Sequence, residues 1–400
     1  MTQNRYFYVI GGGGLAAASA IEGIRELDKK SSILLLGREK DLPYDRPPLS
    51  KDLWFGKKTV EKIFVQDKKF YSDHDVEVKS CIEVTALDPA KKEIQDSEGT
   101  VYHFEKLLLA TGGRPRILDI PGGSLDGICY YRNLEDYRKL RTQVAAGKSA
   151  VVIGGGFIGS EIAAALSANQ CKVTMIFPDE YLVHRIFPES LGRAIQAQYI
   201  KRGIRVISGD VPISFEKKDE KFITSTKNGQ KIESDLIIVG VGLNPSIGLA
   251  DGAGLKVGNG IIVDEYLKTS HADIFAAGDN TNFPYRALGI HTRVEHRDNA
   301  LNQGKQAGRN MAGAKESYNY MPFFYSDLFE FGFEAVGEVD ARLETIMDWQ
   351  KENDTGVIYY TKDNKIRGAM MCNVWDKVEW ARDLIRRDQH ITSEKLPKIA

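Results

Sequence analysis

Glycines recur with similar spacing at two places in the chain, in VIGGGGLAAA at residues 9–18 and in VVIGGGFIGSEIAAAL at residues 151–166. At each place an apolar strand pattern precedes the glycines and an alanine-rich helical pattern follows them. This order is typical of a dinucleotide-binding unit, because the turn lets the backbone approach a pyrophosphate and the helix N-terminus faces its negative charge. Two such units predict that the protein brings two dinucleotides together.

The first turn reads Gly11-x-Gly13-x-x-Ala16. We assign Gly11 to the tight bend and Gly13 to the close approach of the backbone, with Ala16 in place of a third glycine. The carboxylate expected after the second strand is displaced, because Arg38 and then Glu39 follow the apolar run ILLLG. We therefore predict that Glu39 reaches the ribose, and that Arg38 either lies near the adenine or is exposed.

The second turn has the full pattern Gly154-x-Gly156-x-x-Gly159. Asp179 follows the next strand, where a carboxylate can bind the ribose 2′-hydroxyl of NAD. Because that carboxylate would repel a 2′-phosphate, we predict a preference for NADH over NADPH. The nearby cation Arg185 is the alternative, since it could attract a 2′-phosphate.

Three further apolar runs end in glycine turns and are interpreted as strands of the two units. They are KLLLATGG at residues 106–113, DLIIVGVG at 235–242 and HADIFAAGD at 271–279. Short alternating strands follow from residue 318, and a helical pattern at residues 374–387 is expected to cover a sheet face. We predict an α/β fold with two Rossmann-like dinucleotide-binding domains, the first interrupted by the second, plus a C-terminal α+β domain. The predicted boundaries are 1–122 with 248–315, then 123–247, then 316–400.

The composition sets limits on the class of protein. The 400 residues are 42% hydrophobic and 27% charged, as in a soluble globular protein. A formal net charge of −1 argues against binding nucleic acid or anionic lipid. No apolar run approaches the ~20 residues that span a membrane. The chain enters its first strand too early to leave room for a signal peptide, so we predict a cytoplasmic protein without a membrane span.

The cysteines give no redox or metal signature. Cys81, Cys129, Cys171 and Cys372 are far apart in sequence, so neither a CxxC pair nor a zinc-binding spacing exists. We predict reduced thiols and no metal site.

Several motifs resemble those of one family of flavoproteins. The twin glycine turns, the ATGG and GD strand ends, RPPLSKDLWF, GGGFIGSE, RVEHRDNA, FFYSDL and FEAVGEVD are similar to the two-dinucleotide FAD- and NAD(P)H-dependent reductases. The branch that the chain resembles most is that of apoptosis-inducing factor and its bacterial relatives, followed by the ferredoxin and rubredoxin reductases. The resemblance covers nearly the whole chain.

The resemblance implies that FAD occupies the first unit and NADH the second. Residues implied for FAD are Gly11, Gly12, Gly13, Gly14, Leu15, Glu39, Arg46, Lys51, Thr111, Gly112, Arg132, Asp279, Glu295, His296 and Tyr325. Residues implied for NADH are Gly154, Gly156, Phe157, Ile158, Gly159, Asp179, Arg185, Gly242 and Glu334, with Glu295 and His296 also around the nicotinamide. Tyr325 departs from the family, which commonly has tryptophan there.

Four side chains are implied to act in catalysis. The resemblance places Lys51 and Glu161 beside the flavin ring, where the lysine would stabilise developing negative charge and the glutamate would hold the lysine. Phe157 would gate the flavin face until nicotinamide displaces it, and His296 would contact the cofactors without acting as an obligatory acid or base. From residue type alone, Lys51 and Glu161 would be solvent-facing charges and Phe157 a core residue.

The implied reaction is hydride transfer from NADH to flavin N5, followed by electron delivery to an acceptor. We expect slow reaction with oxygen or quinones and a long-lived charge-transfer complex of reduced flavin and NAD⁺. The alternative is a reductase for ferredoxin or rubredoxin, both small iron–sulfur proteins. From another class, an interaction protein whose oligomeric state, such as a homodimer, depends on NADH would also fit. Reduction through a protein thiol is not expected, because RPPLS stands where peroxidase-type relatives carry cysteine.

Overall fold

The computed structural model describes residues 4–388 of the chain. Within this range the helices are α1 (Leu15–Leu27), α2 (Lys68–Asp73), α3 (Leu134–Gln143), α4 (Phe157–Ala168), α5 (Glu189–Lys201), α6 (Gly248–Gly252), α7 (Arg297–Met311) and α8 (Val378–Arg387). Short 3₁₀ turns cover Pro47–Leu49, Val60–Ile63 and Arg286–Leu288.

The strands are numbered in chain order. The first thirteen are β1 (Arg5–Gly11), β2 (Ile33–Gly37), β3 (Val76–Ser80), β4 (Val84–Asp88), β5 (Glu93–Asp96), β6 (Val101–Leu109), β7 (Gly113–Pro115), β8 (Ile128–Tyr130), β9 (Ser149–Ile153), β10 (Lys172–Phe177), β11 (Arg205–Ser208), β12 (Pro212–Lys218) and β13 (Lys221–Thr226). The others are β14 (Lys231–Ser234), β15 (Leu236–Val239), β16 (Leu243–Pro245), β17 (Val257–Gly258), β18 (Gly260–Ile262), β19 (Ile274–Ala276), β20 (Thr281–Tyr285), β21 (Ile290–Arg293), β22 (Phe323–Leu328), β23 (Phe331–Gly337), β24 (Glu344–Lys351), β25 (Thr355–Lys362) and β26 (Lys365–Cys372).

The described chain divides into two compact units. The first unit consists of residues 4–45, Val60–Arg114 and Asn244–Pro322. The second consists of Arg46–Thr59, Pro115–Leu243 and residues 323–388. The division into three domains given above stays a prediction.

The main sheet of the first unit is built on buried parallel strands. Its strand order is β3-β2-β1-β6-β5-β4, and β19 pairs with β6. β1 runs parallel to β2 and β6, and β19 runs parallel to β6. Because the carboxyl ends of parallel strands meet at one sheet edge, the segments after β1, β2, β6 and β19 come together there. They carry the first glycine turn, Glu39, Thr111 and Asp279.

Helix α1 lies close to α7 because small residues face each other. Ala16 and Ala20 on α1 are buried. A Cβ added to Gly304 or Gly308 on α7 would lie 2.2 Å or 2.1 Å, respectively, from the carbonyl oxygens of those alanines. Larger side chains would force the helices apart, so the alanine-rich sequence of α1 reflects close packing.

The second unit contains a parallel sheet of order β11-β10-β9-β15-β8. β9 pairs in parallel with β10 and with β15, so the second glycine turn after β9 and Asp179 after β10 share one sheet edge. Val151, Ile176 and Phe215 lie in its apolar core. Phe215 comes from the antiparallel sheet β12-β13-β14, which packs on this core.

The C-terminal part of the second unit is an antiparallel sheet of order β22-β23-β26-β25-β24. The β22–β23 hairpin closes with Leu328 opposite Phe331, and Phe329 in its turn has a φ of +61°. Helix α8 packs on β23 and β26, so the predicted covering helix is confirmed. It begins at Val378 rather than at residue 374, because left-handed backbone at Asn373 and Asp376 precedes it.

The predicted α/β fold with Rossmann-like nucleotide units and an α+β C-terminal part is confirmed. Across residues 4–388, no helix combines the length and apolar character that crossing a bilayer requires.

Candidate active site

The first glycine turn bends at Gly12. Gly12 has a φ of +132°, and a Cβ added there would lie 2.1 Å from the carbonyl oxygen of Ala110, so only glycine fits. Gly11, to which we assigned the bend from spacing alone, is still the last residue of β1. That assignment is wrong by one residue, and the motif is Gly12-x-Gly14-x-x-Ala17.

The N-terminus of α1 faces open space. Gly14 is its N-cap residue and Leu15 its first helical residue; no side chain of the described range caps it. A Cβ added to Gly14 would meet no atom within 4 Å. The free N–H groups of the first turn, which donate hydrogen bonds, and the positive end of the helix dipole can therefore bind a phosphate group.

The acid after β2 is held in place. Glu39 is half-buried, and its Oε2 accepts a hydrogen bond from the Tyr44 hydroxyl at 2.5 Å. Arg38 is exposed, which agrees with one of the two predicted alternatives. A Cβ added to Gly13 would lie 3.0 Å from the Gly37 Cα, so the glycine turn passes directly over the end of β2.

Two buried amides that the sequence analysis overlooked fix the turn around Asp279. Asn280 donates from Nδ2 to the Thr111 hydroxyl at 2.9 Å. Gln303 accepts at Oε1 from the Gly278 N–H at 2.8 Å. Both amides are fully buried. Their position beside the GD turn in sequence and on α7 was visible, but neither residue type is specific for such a role.

His296 is the N-cap residue of α7 and is half-buried. Its withdrawal from solvent lowers its pKa to about 4, and the opposing charge of Asp279 offsets this only in part. The imidazole is therefore neutral at physiological pH. The neighbouring Glu295 is paired with Arg293, which also donates to the Asp279 backbone carbonyl at 3.0 Å.

The second glycine turn bends at Gly154, with a φ of +119°. A Cβ added there would lie 2.3 Å from the Gly240 carbonyl oxygen, and one added to Gly159 would lie 2.1 Å from the Gly154 carbonyl oxygen. Gly156 is the N-cap residue of α4, which no side chain of residues 4–388 caps. Ile158 in its first turn is 41% exposed, so this helix end opens to solvent.

The charged residues after β10 differ in how they are held. Asp179 is exposed. Glu180 forms an ion pair with Arg193, in which its Oε2 lies 2.7 Å from the arginine Nη2. Arg185 lies near Asp340, whose pKa is lowered mainly by its hydrogen bond from the neighbouring Arg342 and in part by the charge of Arg185. Asp340 is thus paired mainly with Arg342, and the charge of Arg185 acts on it only weakly.

Lys51 and Glu161 lie together and are buried, in contrast to what their residue types suggest. Lys51 is 9% exposed and Glu161 is 5% exposed. The Lys51 Nζ lies 3.3 Å from Glu161 Oε1 and 3.4 Å from Asp327 Oδ2. It also lies 4.4 Å from the centre of the Tyr325 ring, as a cation–π contact.

These neighbours keep the ammonium group charged. Burial alone would lower the pKa of Lys51. The negative charges of Glu161 and Asp327, with Tyr325 and the hydrogen bond to Glu161, outweigh this and raise the pKa. Lys51 is therefore a cation throughout the physiological pH range.

Glu161 has two further partners that the sequence analysis missed. Its Oε2 accepts from the Ser50 hydroxyl at 2.5 Å, and its Oε1 accepts from the Ser326 hydroxyl at 2.5 Å. Both serines are buried, with exposures of 3% and 1%. They stand within the motifs RPPLSK and FFYSDL, but serine alone carries no signal for this role.

Phe157 is half-buried at the start of α4. Its ring centre lies 5.9 Å from that of Phe324 and 5.8 Å from that of Phe333. Tyr325, which follows Phe324 in β22, is 37% exposed. Its ring stacks with that of Phe323, with 6.4 Å between the ring centres. The aromatic rings of β22 therefore approach both Phe157 and Lys51.

Glu334 has one carboxyl oxygen to which no group of the described residues donates a hydrogen bond. It lies opposite Tyr325 in the β22–β23 pair. Its Oε2 is buried and has no hydrogen-bond partner among the described residues. Burial and, to a lesser extent, the negative charge of Asp376 raise the pKa of this carboxyl group, against a smaller lowering by a hydrogen bond from the Asp376 backbone. A buried acceptor without a donor is costly, so a donor from a ligand would be favoured.

The remaining predicted residues lie at turns and loops. Arg46 donates to the Arg132 carbonyl oxygen at 3.1 Å. Gly112 and Gly242 have φ values of +59° and +101°. Of the residues implied for FAD, the second unit contains Arg46, Lys51, Arg132 and Tyr325, and the first unit contains Gly11, Gly12, Gly13, Gly14, Leu15, Glu39, Thr111, Gly112, Asp279, Glu295 and His296. All residues implied for NADH alone belong to the second unit.

Two parts of the chain match known protein families. Residues 6–304 match the family described as pyridine nucleotide-disulphide oxidoreductase. Residues 307–355 match the family described as the C-terminal part of mitochondrion-associated apoptosis-inducing factor.

Individual relatives match over nearly the whole chain. Apoptosis-inducing factor 1 of Dictyostelium discoideum is 32% identical over 97% of this chain and 79% of its own length. The ferredoxin–NAD(+) reductase component of the anthranilate 1,2-dioxygenase system of Burkholderia cepacia is 33% identical over 94% of this chain and 93% of its own. The crystal structure of a covalent putidaredoxin reductase–putidaredoxin complex contains a chain that superposes with a TM-score of 0.91 at 28% identity, covering 97% of this chain and 95% of that one.

Proposed function

This chain belongs to the pyridine nucleotide-disulphide oxidoreductase family and is an FAD-dependent NADH oxidoreductase, and on that premise we propose that it delivers electrons to a small iron–sulfur protein of the ferredoxin type. The observation that carries the proposal is the buried Lys51–Glu161 pair, a fixed cation suited to a site where negative charge develops. The match with a ferredoxin–NAD(+) reductase over almost the full length of both chains supports the choice of acceptor.

The first glycine turn fits the pyrophosphate of FAD. The bend at Gly12 and the uncapped N-terminus of α1 leave backbone N–H groups facing open space at Gly14. Glu39, held by Tyr44, is the acceptor we propose for the adenosine ribose, and Asp279 is the acceptor for the ribityl side. We propose Thr111, Gly112, Glu295 and His296 as further contacts.

The second glycine turn fits the pyrophosphate of NADH in the same way, through Gly154, Gly156 and the start of α4. Asp179 is the proposed partner of the ribose 2′-hydroxyl. The unpartnered Glu334 Oε2 is suited to accept a hydrogen bond from the carboxamide N–H of nicotinamide. Since the Asp179 carboxylate would repel a 2′-phosphate, we propose that NADH is preferred over NADPH.

When bound, FAD supplies the hydride-accepting atom and NADH supplies the hydride. Lys51 holds a permanent positive charge at a fixed point and thereby favours added negative charge nearby. Glu161 fixes the position of that charge. The neutral ring of His296 packs without taking part in proton transfer, and Phe157 closes one face of the site until nicotinamide enters.

Anaerobic titration of the FAD-loaded protein with NADH tests the proposal. We expect bleaching of the flavin, followed by rapid reoxidation when a [2Fe–2S] ferredoxin is added. Lys51→Met should slow bleaching by about 100-fold, since one electrostatic contact of this kind contributes 10²–10³ in rate. Lys57→Met is the matched control, because Lys57 is exposed on the same loop. Failure of NADH to bleach the wild-type protein would reject the proposed function.

A second candidate function is favoured by the match of residues 307–355 to the C-terminal part of apoptosis-inducing factor. In this version the reduced flavin and NAD⁺ form a long-lived charge-transfer complex, with oxygen or quinones as slow acceptors and an oligomeric state that depends on NADH. A long-wavelength absorption band that persists in air, with a mass shift on size exclusion after NADH addition, would favour it. Rapid ferredoxin reduction without such a band would exclude it.

A further inference from the structure

Glu161 is a buried carboxylate whose two oxygens are both bound by serine hydroxyls. Ser50 and Ser326 each lie 2.5 Å from one of them, and the Lys51 ammonium lies 3.3 Å from Oε1. The carboxylate thus accepts from three donors.

The direction of these hydrogen bonds follows from the number of protons available. A serine hydroxyl carries one proton, and the other acceptor near Ser50, the Pro47 carbonyl oxygen, is distant at 3.4 Å. The Ser50 hydroxyl therefore donates its hydrogen bond to Glu161. Each oxygen of the carboxylate thus accepts a hydrogen bond from one serine, in addition to the contact of Oε1 with the Lys51 ammonium.

The two serines and the carboxylate that they contact come from three segments that are distant in the sequence. Ser50 follows the 3₁₀ turn at Pro47–Leu49, Glu161 lies in the first turns of α4, and Ser326 lies in β22. In β22 the alternation of side chains turns Ser326 inward, while Tyr325 and Asp327 on either side are exposed and reach Lys51. Consecutive residues of one strand thus contact both members of the Lys51–Glu161 pair.

A buried pair of this kind has an alternative state in which the proton moves to the carboxylate and both groups become neutral. Burial favours that neutral state, whereas hydrogen bonds to the carboxylate favour the charged state. The serines oppose the effect of burial without adding a charge of their own.

We propose that Ser50 and Ser326 are positioning residues that hold the Glu161 carboxylate against the Lys51 ammonium, so that Lys51 stays a cation beside the flavin. This inference rests on the proposed function. It assigns the serines no contact with FAD or NADH: they act through Glu161 on Lys51. The chemical consequence is that the charge of Lys51, and with it the contribution of Lys51 to flavin reduction, does not change with pH in the neutral range.

The test uses the FAD-loaded protein and the variants Ser50→Ala, Ser326→Ala and the double variant. Anaerobic bleaching by NADH is followed from pH 6 to pH 9, and the midpoint potential of bound FAD is measured by dye equilibration at the same pH values. Ser→Thr at each position keeps the hydroxyl, and Ser→Cys keeps the size with a weaker donor. Ser234→Ala is the matched control, because Ser234 is equally buried in the same unit and its hydroxyl has no partner in the described structure.

In the wild type we expect a bleaching rate that does not vary with pH in this range. Each alanine variant should bleach about tenfold more slowly, since a hydrogen bond to a charged group contributes this much or more. The double variant should slow further as pH rises, with a lower FAD potential, because Lys51 then loses its proton. Threonine should restore wild-type behaviour, cysteine should give an intermediate rate, and Ser234→Ala should have no effect.

Wild-type rates, flat pH profiles and unchanged potentials in variants that retain FAD would overturn the inference. A loss of thermal stability with an unchanged pH profile would equally overturn it, because that is the result of a purely structural role. If an alanine variant fails to fold, the cysteine and threonine variants decide on the same criteria. Failure of the wild type to be bleached by NADH would instead reject the proposed function.

Discussion

The two glycine turns follow the same backbone path but lie in different surroundings. Gly12 and Gly154 both adopt positive φ, and each faces a carbonyl oxygen from the end of a neighbouring strand. In the first turn the N-cap residue Gly14 is half-buried, whereas in the second turn Gly156 is exposed and Ile158 is 41% exposed.

The acidic residues that follow the two turns also differ in exposure to solvent. Glu39 is half-buried and held by Tyr44, whereas Asp179 is exposed. The third position of the motif is Ala17 in the first turn and Gly159 in the second. A partly enclosed turn with a fixed acid suits a ligand that stays bound, and an open turn suits one that exchanges. This comparison supports FAD as the resident group and NADH as the group that enters and leaves.

Replacement of the glycine at the first bend should have the largest effect. In Gly12→Ala the new Cβ would lie 2.1 Å from the Ala110 carbonyl oxygen at an unfavourable φ. We expect a loss of about 3 kcal/mol or more in the free energy of unfolding, together with loss of FAD. Urea unfolding and the ratio of FAD to protein measure both. Ala17→Gly is the control and should cost about 1 kcal/mol with FAD retained. A stable, yellow Gly12→Ala protein would contradict the assigned bend.

The corresponding change in the second turn should affect NADH and leave FAD bound. In Gly159→Ala the new Cβ would lie 2.1 Å from the Gly154 carbonyl oxygen and would displace the start of α4. A displacement of about 1 Å can cost 10²-fold, so we expect roughly that loss in kcat/KM for NADH. Ser167→Ala on the same helix should behave as wild type. Loss of FAD from Gly159→Ala would show that the two turns are not independent.

The neutral His296 at the start of α7 should make stability depend on pH. Its pKa is lowered to about 4 in the folded protein from an ordinary value near 6.5, so the unfolded chain binds the proton more readily. The resulting stability is present above pH 6.5 and is lost as pH falls toward 4. Between pH 7 and pH 5 the loss should be about 2 kcal/mol.

His296→Gln should remove that part of the pH dependence. The check is urea unfolding at pH 5, 6 and 7, with His291→Gln as the control, because His291 is an exposed histidine of the same unit. Equal pH dependence in His296→Gln and wild type would contradict the neutral, withdrawn ring.

The smallest effect is expected at the exposed acid of the second turn. Asp179→Ser should reduce the preference for NADH over NADPH by about fivefold, because one repulsive charge in a solvated site contributes about 1 kcal/mol. The ratio of kcat/KM for the two coenzymes measures it. Glu180→Ser should leave the ratio unchanged, since Arg193 already pairs with Glu180. An unchanged ratio in Asp179→Ser would mean that other residues discriminate between NADH and NADPH.

The fold could be predicted from sequence because its signals are local. Strand, glycine turn and helix follow one another within about 20 residues, and the apolar runs mark the parallel strands. The bend was placed one residue too early because four consecutive glycines occupy positions 11–14. What decides among them is the Ala110 carbonyl oxygen, which belongs to a segment about a hundred residues later.

The site could be predicted only where a motif carried it. Lys51 and Glu161 were named by resemblance, but their burial contradicts what residue type suggests. Ser50 and Ser326 were missed because their bonds to Glu161 join residues 111 and 165 positions apart. Nothing in the local sequence of a serine indicates a partner at such a distance.

The hairpin that joins β22 to β23 has a consequence for evolution of this site. Its turn consists of Phe329 and Glu330, and the Phe329 ring is covered by the Arg202 guanidinium at 4.3 Å. Side chains alternate along a strand, so insertion or deletion of a single residue in β22 would exchange the inward and outward positions of Tyr325 and Ser326. The number of residues in this strand and its turn is therefore constrained. Homologues can substitute the side chains around Lys51, but a change in the residue count would also change the polar contacts of Lys51 and Glu161.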